Sequence, residues 1–262
     1  MTAALEAARS AYSTSKTPAP NPAMTTRERV RLVIILGAMT ALGPLTIDTY
    51  LPALPSITRN LQSTSAAVGL TLTGTLVGFA VGQLVMGPIS DSFGRRRPMM
   101  MGVALHVVTS ILCAVAGNVL ILSGFRVLQG IAAASASVVA LAIVRDVANG
   151  RAFVVMMSRL LLVMGAAPVL APTLGSQVLR WTEWRGVFVV LAVIAVLLLV
   201  VTAVALPETL PPEARRGGGL APALRTYAAL LRRLERRGWD RLAQPVRVPR
   251  WQKLLIALRY AR

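Results

Sequence analysis

The stretch Gly87-Pro88-Ile89-Ser90-Asp91-Ser92-Phe93-Gly94-Arg95-Arg96-Arg97-Pro98 is a short charged segment between two long apolar runs. The runs, residues 66–87 and 99–117, contain no acidic or basic side chain except that of His106, which is taken to be neutral. Apolar runs of about 20 residues are long enough to cross a bilayer as helices. Three consecutive arginines between two such runs predict that this loop lies on the cytoplasmic side.

The composition excludes a soluble domain, because 55% of the 262 residues are hydrophobic and only 15% are charged. The single cysteine, Cys113, lies within an apolar run, so no disulfide framework is expected. The net charge of +18 could suggest nucleic acid as a partner. However, the arginines cluster in loops and in the last quarter of the chain, which suits anionic lipid better, and no nucleic acid is expected.

Six apolar segments predict an all-α membrane protein, since uninterrupted apolar runs span a bilayer as helices and not as barrel strands. The predicted spans are Leu32–Leu54, Val68–Ile89, Met99–Gly117, Leu120–Ile143, Val154–Val178 and Gly186–Leu206. The arginine-rich loops alternate with loops that hold few arginines, so both termini are predicted to be cytoplasmic.

The chain divides into three parts. Residues 1–30 are rich in Ala, Ser, Thr and Pro, lack the apolar core of a signal peptide, and are expected to be a disordered cytoplasmic leader. Residues 31–206 form the six-helix bundle. Residues 207–262 are expected to be a basic cytoplasmic tail.

Two charged residues within the apolar spans are the main functional candidates. Asp48 lies near the outer end of the first span, and Arg126 lies inside the fourth. Charges at membrane depth are costly and by default indicate a function. The two residues lie at similar depth, so they could form an ion pair or face one water-filled cavity. A purely structural ion pair, or an Asp48 that reaches to the interface, is the alternative.

Gln129 follows Arg126 by one helical turn and is predicted to share its face. Gly130 and the small residues after it, Ala133, Ala134 and Ser137, predict a surface for close helix packing. His106, in the third span, is interpreted as a neutral, hydrogen-bonded packing histidine rather than a proton relay.

The fifth span carries two prolines, Pro168 and Pro172, between Gly165 and Gly175. Prolines in a helix remove backbone donors and bend it, while the glycines would let a neighbouring helix approach. The bend is either a gating element or a static kink.

The opening stretch could hold a conformational latch. Asp91 could bond the start of the next helix or pair with Arg145 across the cytoplasmic face, and Gly94 permits a tight turn into Arg95 and Arg96. In the alternative interpretation the arginines only set topology. No metal-ligand cluster, nucleophile triad or phosphate-binding glycine loop is found, so an enzyme is not expected.

Four motifs resemble those of the major facilitator superfamily, and more narrowly its drug:proton antiporters of the bicyclomycin/chloramphenicol-resistance (Bcr/CflA) branch. The segment from Gly87 to Arg97 is similar to the loop between the second and third helices. The other three motifs, on the first, fourth and fifth helices, are Asp48-Thr-Tyr-Leu-Pro-Ala-Leu-Pro55, Arg126-Val-Leu-Gln129-Gly130 and Ala167-Pro168-Val-Leu-Ala-Pro172-Thr-Leu-Gly175. Trp184–Phe188 and Pro207–Leu210 resemble the entry and exit of the sixth helix.

The resemblance implies a multidrug efflux transporter of the cell (plasma or inner) membrane that exports small amphiphilic compounds by proton-coupled antiport. The proton gradient would replace any cofactor, and Asp48, Arg126 and Gln129 would line the cavity and couple protons. Gly87, Asp91, Gly94, Arg95, Arg96, Pro168, Pro172 and Gly175 would form the gating and structural motifs. Such transporters consist of two six-helix bundles with the site between them.

The resemblance covers one bundle, residues 32–213, and no apolar run of membrane length follows Leu206. The amino-acid sequence beyond about Arg232 no longer resembles the family. Either a frameshift or truncation replaced the second half, or the chain is a half-transporter that dimerises and so finds a second bundle in trans. A membrane remnant that only interacts with other subunits is the alternative function.

Overall fold

Seven helices follow one another along residues 25–215, which together with Ala228 and Arg232 are the residues that this computed structural model describes. They are α1 Thr26–Asp48, α2 Leu54–Asn60, α3 Ser65–Phe93, α4 Arg96–Ala114, α5 Val119–Val147, α6 Gly150–Trp181 and α7 Trp184–Ala205. Six spans are long and apolar enough to cross a membrane, with α1 and α2 together in one span. The predicted all-α, six-span architecture is confirmed.

Polar caps fix where several helices begin. Thr25 and Glu28 form a capping box at the start of α1, and the side chain of Asn118 accepts a hydrogen bond from the Ile121 N–H at the start of α5. Because α1 begins at Thr26, the last residues of the predicted leader 1–30 are helical. The predicted disorder of residues 1–24, and the structure of most of the tail, lie outside the described residues.

The first span is not one helix to Leu54, as the sequence suggested. α1 ends at Asp48, a 3₁₀ turn covers Leu51–Ala53, and α2 follows. Pro52 and Pro55 explain the break, because proline has no N–H to donate to a carbonyl four residues earlier and its ring clashes with that carbonyl.

α5 is the centre of the bundle, since 67% of the residues in its most apolar 18-residue stretch are buried. It packs along α3 so closely that a Cβ on Gly130 would collide with the carbonyl oxygen of Thr75, and one on Gly78 with that of Val127. Such contact between backbones is how membrane helices associate in the absence of a hydrophobic driving force. The predicted small-residue packing surface around Gly130 is confirmed.

Two apolar clusters form the core, and polar side chains separate them along three helices. One cluster includes Met39, Met99 and Val139, and the other includes Tyr50 and Cys113. Between the two clusters, the buried polar residues are Thr46 on α1, His106 and Ser110 on α4, and Arg126 and Gln129 on α5. The fold therefore brings these five side chains to one level of the bundle.

The outer faces of the bundle are apolar and uneven in burial. In the most apolar 18-residue stretch of each helix, only 17% of the residues of α6 and 28% of those of α3 are buried inside the bundle. These two helices present their free faces to lipid or to another membrane-spanning partner.

Candidate functional site

Arg126 is fully buried at the centre of the bundle. Its Nη1 donates to the backbone oxygen of Thr46 at 3.0 Å and to Oε1 of Gln129 at 2.8 Å. The predicted shared face of Arg126 and Gln129 is therefore present, and the three-residue spacing accounts for it. The contact with Thr46 joins α5 to the C-terminal end of α1.

A ring of hydrogen bonds continues from Gln129. Its Nε2 donates to Oγ of Ser110 at 2.7 Å, Ser110 Oγ lies 3.3 Å from Nδ1 of His106, and Nε2 of His106 lies 2.8 Å from Oγ1 of Thr46. The ring closes at Thr46, whose carbonyl receives Arg126. We call Thr46, His106, Ser110, Arg126 and Gln129 the central polar ring.

The donors in the ring assign a tautomer to His106. The hydroxyl of Thr46 donates to the carbonyl of Leu42 at 2.6 Å, so it accepts from Nε2–H of His106. Ser110 accepts from Gln129, and its own proton is free to reach Nδ1 of His106. With the proton of the imidazole on Nε2, the N–H of His106 and the hydroxyl groups of Ser110 and Thr46 each have an acceptor. This supports the interpretation of His106 as a neutral packing histidine.

Aromatic rings complete the surroundings of Arg126. Its guanidinium carbon lies 4.3 Å from the ring centre of Tyr50 and 5.7 Å from that of Phe188. A cation over an aromatic face gains about 2 kcal/mol when both are desolvated. The Tyr50 hydroxyl lies 2.7 Å from Oγ1 of Thr71, which fixes the ring in place.

The charge of Arg126 is not neutralised by an acid. The ion pairs within residues 25–215 are both made by Arg95, and Nε and Nη2 of Arg126 are buried without a hydrogen-bond partner there. Each unmet buried donor costs about 1–3 kcal/mol. The bundle thus holds a cation whose charge and two of whose donor groups are unmatched by the residues around it.

The ion pair between Asp48 and Arg126 that the sequence suggested is not formed in this structure. Asp48 is half-buried at the end of α1, and within the described chain no ion pair joins it to Arg126. Residues two apart on a helix lie about 200° apart around its axis. The side chain of Thr46 contacts His106, so Asp48 lies on a different face of α1, and its exposure to a cavity stays a prediction.

A second cluster of polar side chains lies away from Arg126, around the loop between α3 and α4. Arg95, only 6% exposed, donates to Asp91 at 2.6 Å, to Asp146 at 2.7 Å and to Ser90 at 2.8 Å. It joins the end of α3 to the end of α5. Asp91 thus bonds Arg95 near the start of the next helix, and the α5 residue in this cluster is Asp146, one position after the Arg145 suggested by the sequence. The carboxylate of Asp146 accepts from both Nε and Nη2 of Arg95, at 2.7 and 3.4 Å.

Glu208 caps the start of α4 from the other end of the chain. Its carboxylate accepts from the backbone N–H of Arg95 at 2.8 Å and of Arg96 at 3.3 Å. Partial desolvation alone would raise the pKa of Glu208, but the hydrogen bonds from Arg95, Leu210 and Arg96 outweigh it and hold the pKa below its ordinary value. Gly94 adopts a φ of +89° beside this carboxylate, which confirms the tight turn.

Of the remaining candidates in this loop, Arg96 has a bonding partner on another helix and Gly87 has no evident structural role. Arg96 reaches the carbonyl oxygen of Ala203 on α7, so it bonds a second helix. Gly87 has open space where a Cβ would lie, and nothing in the structure requires a glycine there. We call Asp91, Arg95, Asp146 and Glu208 the end cluster.

The two prolines of α6 do not interrupt the helix, which continues from Gly150 to Trp181. Pro168 is exposed and Pro172 half-buried. A Cβ on Gly175 would collide with the carbonyl of Thr49, so this glycine does allow α1 to approach, whereas Gly165 faces open space. Close approach is therefore confirmed for Gly175, whereas no neighbour within the described residues lies close to Gly165.

Comparison with known proteins places the chain in a family. Residues 34–260 match the sequence profile of the Major Facilitator Superfamily. The chain belongs to this superfamily. The match continues past Arg232, at which the composition alone suggested that the resemblance ends.

Curated members of the superfamily are similar over most of the chain. It is 39% identical over 210 residues to the "Uncharacterized MFS-type transporter YdgK" of Bacillus subtilis (strain 168), covering 79% of this chain and 52% of that one. It is 31% identical over 183 residues to the "Bicyclomycin resistance protein homolog" of Haemophilus influenzae, and 33% over 181 residues to the "Multidrug resistance protein MdtL" of Escherichia coli O157:H7. These two matches cover 70% and 69% of this chain and 46% of each relative. The chain spans about half the length of these relatives.

A solved member shares the fold. The proton:xylose symporter XylE superposes with a TM-score of 0.65 at 15% identity, covering 81% of this chain and 54% of its own. The family and its solved structures are transporters, and this chain has the fold of one half of such a facilitator protein. Within the described residues, no group of three His, Cys, Asp or Glu side chains could hold a metal ion.

Sequence reasoning found Arg126 and Gln129 but missed several of their partners. Thr46 and Ser110 are common residues in apolar helices, and only the packing of α1, α4 and α5 shows that they close the ring. Glu208 and Asp146 lie 113 and 51 residues from Arg95. The Pro-Glu-Thr segment after the last span was a signal for Glu208, whereas Asp146 had none beyond its position at a helix end.

Proposed function

We propose that this chain is one bundle of a proton-coupled exporter of small amphiphilic compounds, and that it works with a second six-helix bundle. The observation that carries the proposal is Arg126, a fully buried cation with two unmatched donor groups in the middle of an apolar bundle. Buried charges of this kind are expensive and mark ion or substrate pathways in membrane proteins.

Arg126 would act as the fixed positive charge of the coupling site. Gln129 and the Thr46 carbonyl hold its Nη1, which leaves Nε and Nη2 for a carboxylate or a substrate oxygen. A carboxylate binds a guanidinium while ionised and releases it when protonated, so proton uptake and release would alternate with this contact. Asp48, half-buried at the end of α1, is our candidate for that carboxylate in another state of the transport cycle.

The rings beside Arg126 support amphiphilic substrates. The ring centres of Tyr50 and Phe188 lie 5.7 Å apart at a tilt of 51°, and the two buried rings would form an aromatic wall next to the cation in a state in which the bundle opens there. Apolar walls with a few fixed polar groups are typical of small-molecule sites. Relatives named for multidrug and bicyclomycin resistance are consistent with this substrate class.

The outward face of α6 supports a second bundle as partner. Thr173, Ser176 and Gln177 are exposed there, together with Gly165 and Ala166. Small and polar residues on one face favour contact with another helix over contact with lipid, because they allow close approach and interhelical hydrogen bonds. The partner would be a second copy of this chain or another six-helix bundle of the family.

Transport by the purified full chain in proteoliposomes tests the proposal. Ethidium movement against an imposed pH gradient, with proton flux followed by an entrapped dye, is expected for the native chain and lost in Arg126→Ala and Asp48→Asn. Arg180→Ala, on an exposed arginine at the end of α6, is the matched control. Unchanged flux in both Arg126→Ala and Asp48→Asn would remove these residues from coupling, and flux by a chain that stays monomeric would contradict the need for a second bundle.

Cysteine labelling tests the proposed orientation, with both termini cytoplasmic. The native Cys113 is buried, so it gives little background. In intact cells a membrane-impermeant maleimide is expected to label Arg180→Cys and not Thr25→Cys. The reverse pattern would overturn the orientation.

A further inference from the structure

A lateral groove lies between the first part of α1 and the last part of α7. Its volume is about 750 Å³, within the range of small-molecule sites. Its walls include Val30 and Ile34 from α1 and Val201 and Val204 from α7. These side chains are 40–81% exposed, and Val204 is the most exposed of them.

Two arginines lie at one end of this groove. Arg27 and Arg31 are four residues apart, so they share one face of α1, and both are exposed. Within residues 25–215 no acidic side chain lines the groove, and neither arginine takes part in an ion pair. The carboxylate of the nearby Glu28 is held by the backbone and hydroxyl of Thr25 at 2.8 and 2.9 Å.

The dimensions of the groove fit one leaflet of a bilayer. From Arg27 to Ile35, the deepest of its α1 residues, α1 rises about 12 Å. Half of the hydrocarbon core of a bilayer is about 15 Å thick. With the arginines at the level of the headgroups, the apolar walls therefore extend along most of an acyl chain.

We propose that this groove is a binding site for one anionic phospholipid, with its phosphate on Arg27 and Arg31 and an acyl chain between α1 and α7. The groove opens sideways into hydrocarbon, where lipid chains are the available apolar occupant. The acyl chain gains little from exchanging one apolar environment for another, so selectivity arises at the headgroup. Two guanidiniums favour a net negative headgroup such as phosphatidylglycerol and disfavour the ammonium of phosphatidylethanolamine.

Native mass spectrometry of the delipidated full chain in mild detergent tests the site. Phosphatidylglycerol and phosphatidylethanolamine with identical acyl chains are titrated, and the first bound lipid is quantified. An arginine near the headgroups strengthens anionic lipid binding about five-fold. We therefore expect the native chain to prefer phosphatidylglycerol, and Arg27→Gln/Arg31→Gln to weaken its binding about 25-fold with little change for phosphatidylethanolamine.

A matched pair of substitutions separates a site from general surface charge. Arg29→Gln/Arg97→Gln removes the same two charges from exposed residues at the same end of the bundle, outside the groove. It is expected to change phosphatidylglycerol binding less than two-fold. Val204→Trp, which fills the groove and keeps both arginines, is expected to weaken it.

Three results would overturn the proposal. They are equal loss of phosphatidylglycerol binding in the two double variants, no preference for phosphatidylglycerol in the native chain, and unchanged binding in Val204→Trp. None of these measurements involves transport, so the lipid site stands or fails independently of the proposed function.

Discussion

Arg95 and Arg126 are both withdrawn from solvent, at 6% and 0% exposure, but their surroundings differ in kind. Arg95 lies between two carboxylates, Asp91 and Asp146, and also bonds Ser90. Arg126 has an amide, a carbonyl and two aromatic rings, and two of its donor groups are unmatched within the described chain.

The difference indicates that Arg95 has a structural role, whereas Arg126 provides a positive charge for function. A buried cation between two acids is neutralised, and removing it leaves those acids without the guanidinium that joins them. A buried cation without an acid costs stability for as long as it is there, so its retention points to use. The end cluster therefore fastens α3, α5 and the segment after α7 together, while the central polar ring presents a positive charge inside the bundle.

The largest expected effect is that of Arg126→Ala on transport. Because the proposed coupling site loses its only fixed charge, we expect proton-coupled ethidium flux to fall about 100-fold, equivalent to about 2.7 kcal/mol. Stability is expected to change less than flux, since the removal of two unmatched donors offsets part of the lost hydrogen bonds and ring contacts of Arg126. Flux in proteoliposomes and unfolding in mixed micelles measure the two effects, and a large loss of stability with normal flux would reverse the contrast with Arg95.

Arg95→Gln is expected to show the opposite balance. Breaking a buried ion pair by removing one partner costs about 3–5 kcal/mol. The side chains of Asp91 and Asp146 are 34% and 18% exposed, so we expect about 2 kcal/mol here. Unfolding in mixed micelles measures the loss. Arg95→Gln/Asp146→Asn should recover part of it, and a double variant less stable than the single one would contradict the role of Asp146.

The contrast between the two arginines could be predicted only in part from the sequence. Hydropathy and arginine spacing predict the six spans, and the three-residue step from Arg126 to Gln129 predicts their shared face. These are local signals, with a period set by the helix. The break after Asp48 could also have been read from Pro52 and Pro55, which restrict the chain in a known way.

The partners across helices could not be predicted in the same way. Which face of α1 meets Arg126 depends on how α1 rotates against α5, and a rotation of 200° exchanges Asp48 for Thr46. Similarly, Asp146 and Glu208 reach Arg95 only because α5 and the segment after α7 end beside the same loop. Charge pattern along the chain contains no information on such rotations.

Ser110→Ala tests how far the rest of the ring positions Arg126. The substitution removes the acceptor of Gln129 Nε2 and the contact with His106. We expect a loss of about 1 kcal/mol in stability and about five-fold in flux, because Gln129 becomes free to turn away from Arg126. Ser158→Ala is the control, since this exposed serine bonds only a carbonyl of its own helix. Equal flux in the two variants would show that Gln129 needs no support from Ser110.

The smallest expected effect, that of Glu208→Gln, depends on pH. Glu208 accepts from two backbone N–H groups at the start of α4, and its removal as an anion is expected to cost about 0.5–1 kcal/mol at neutral pH. Because the pKa of Glu208 in the folded protein lies below the ordinary 4.5, this contribution is complete above pH 4.5 and is lost as the pH falls through the lowered value. The stability difference between native chain and variant should therefore shrink below pH 4.5, and Glu213→Gln, the same change at an exposed position five residues later, should show no such dependence. A difference that persists unchanged to about pH 3 would mean that the turn at Arg95 is held by packing and not by the charge of Glu208, and the end cluster would then rest on the two aspartates alone.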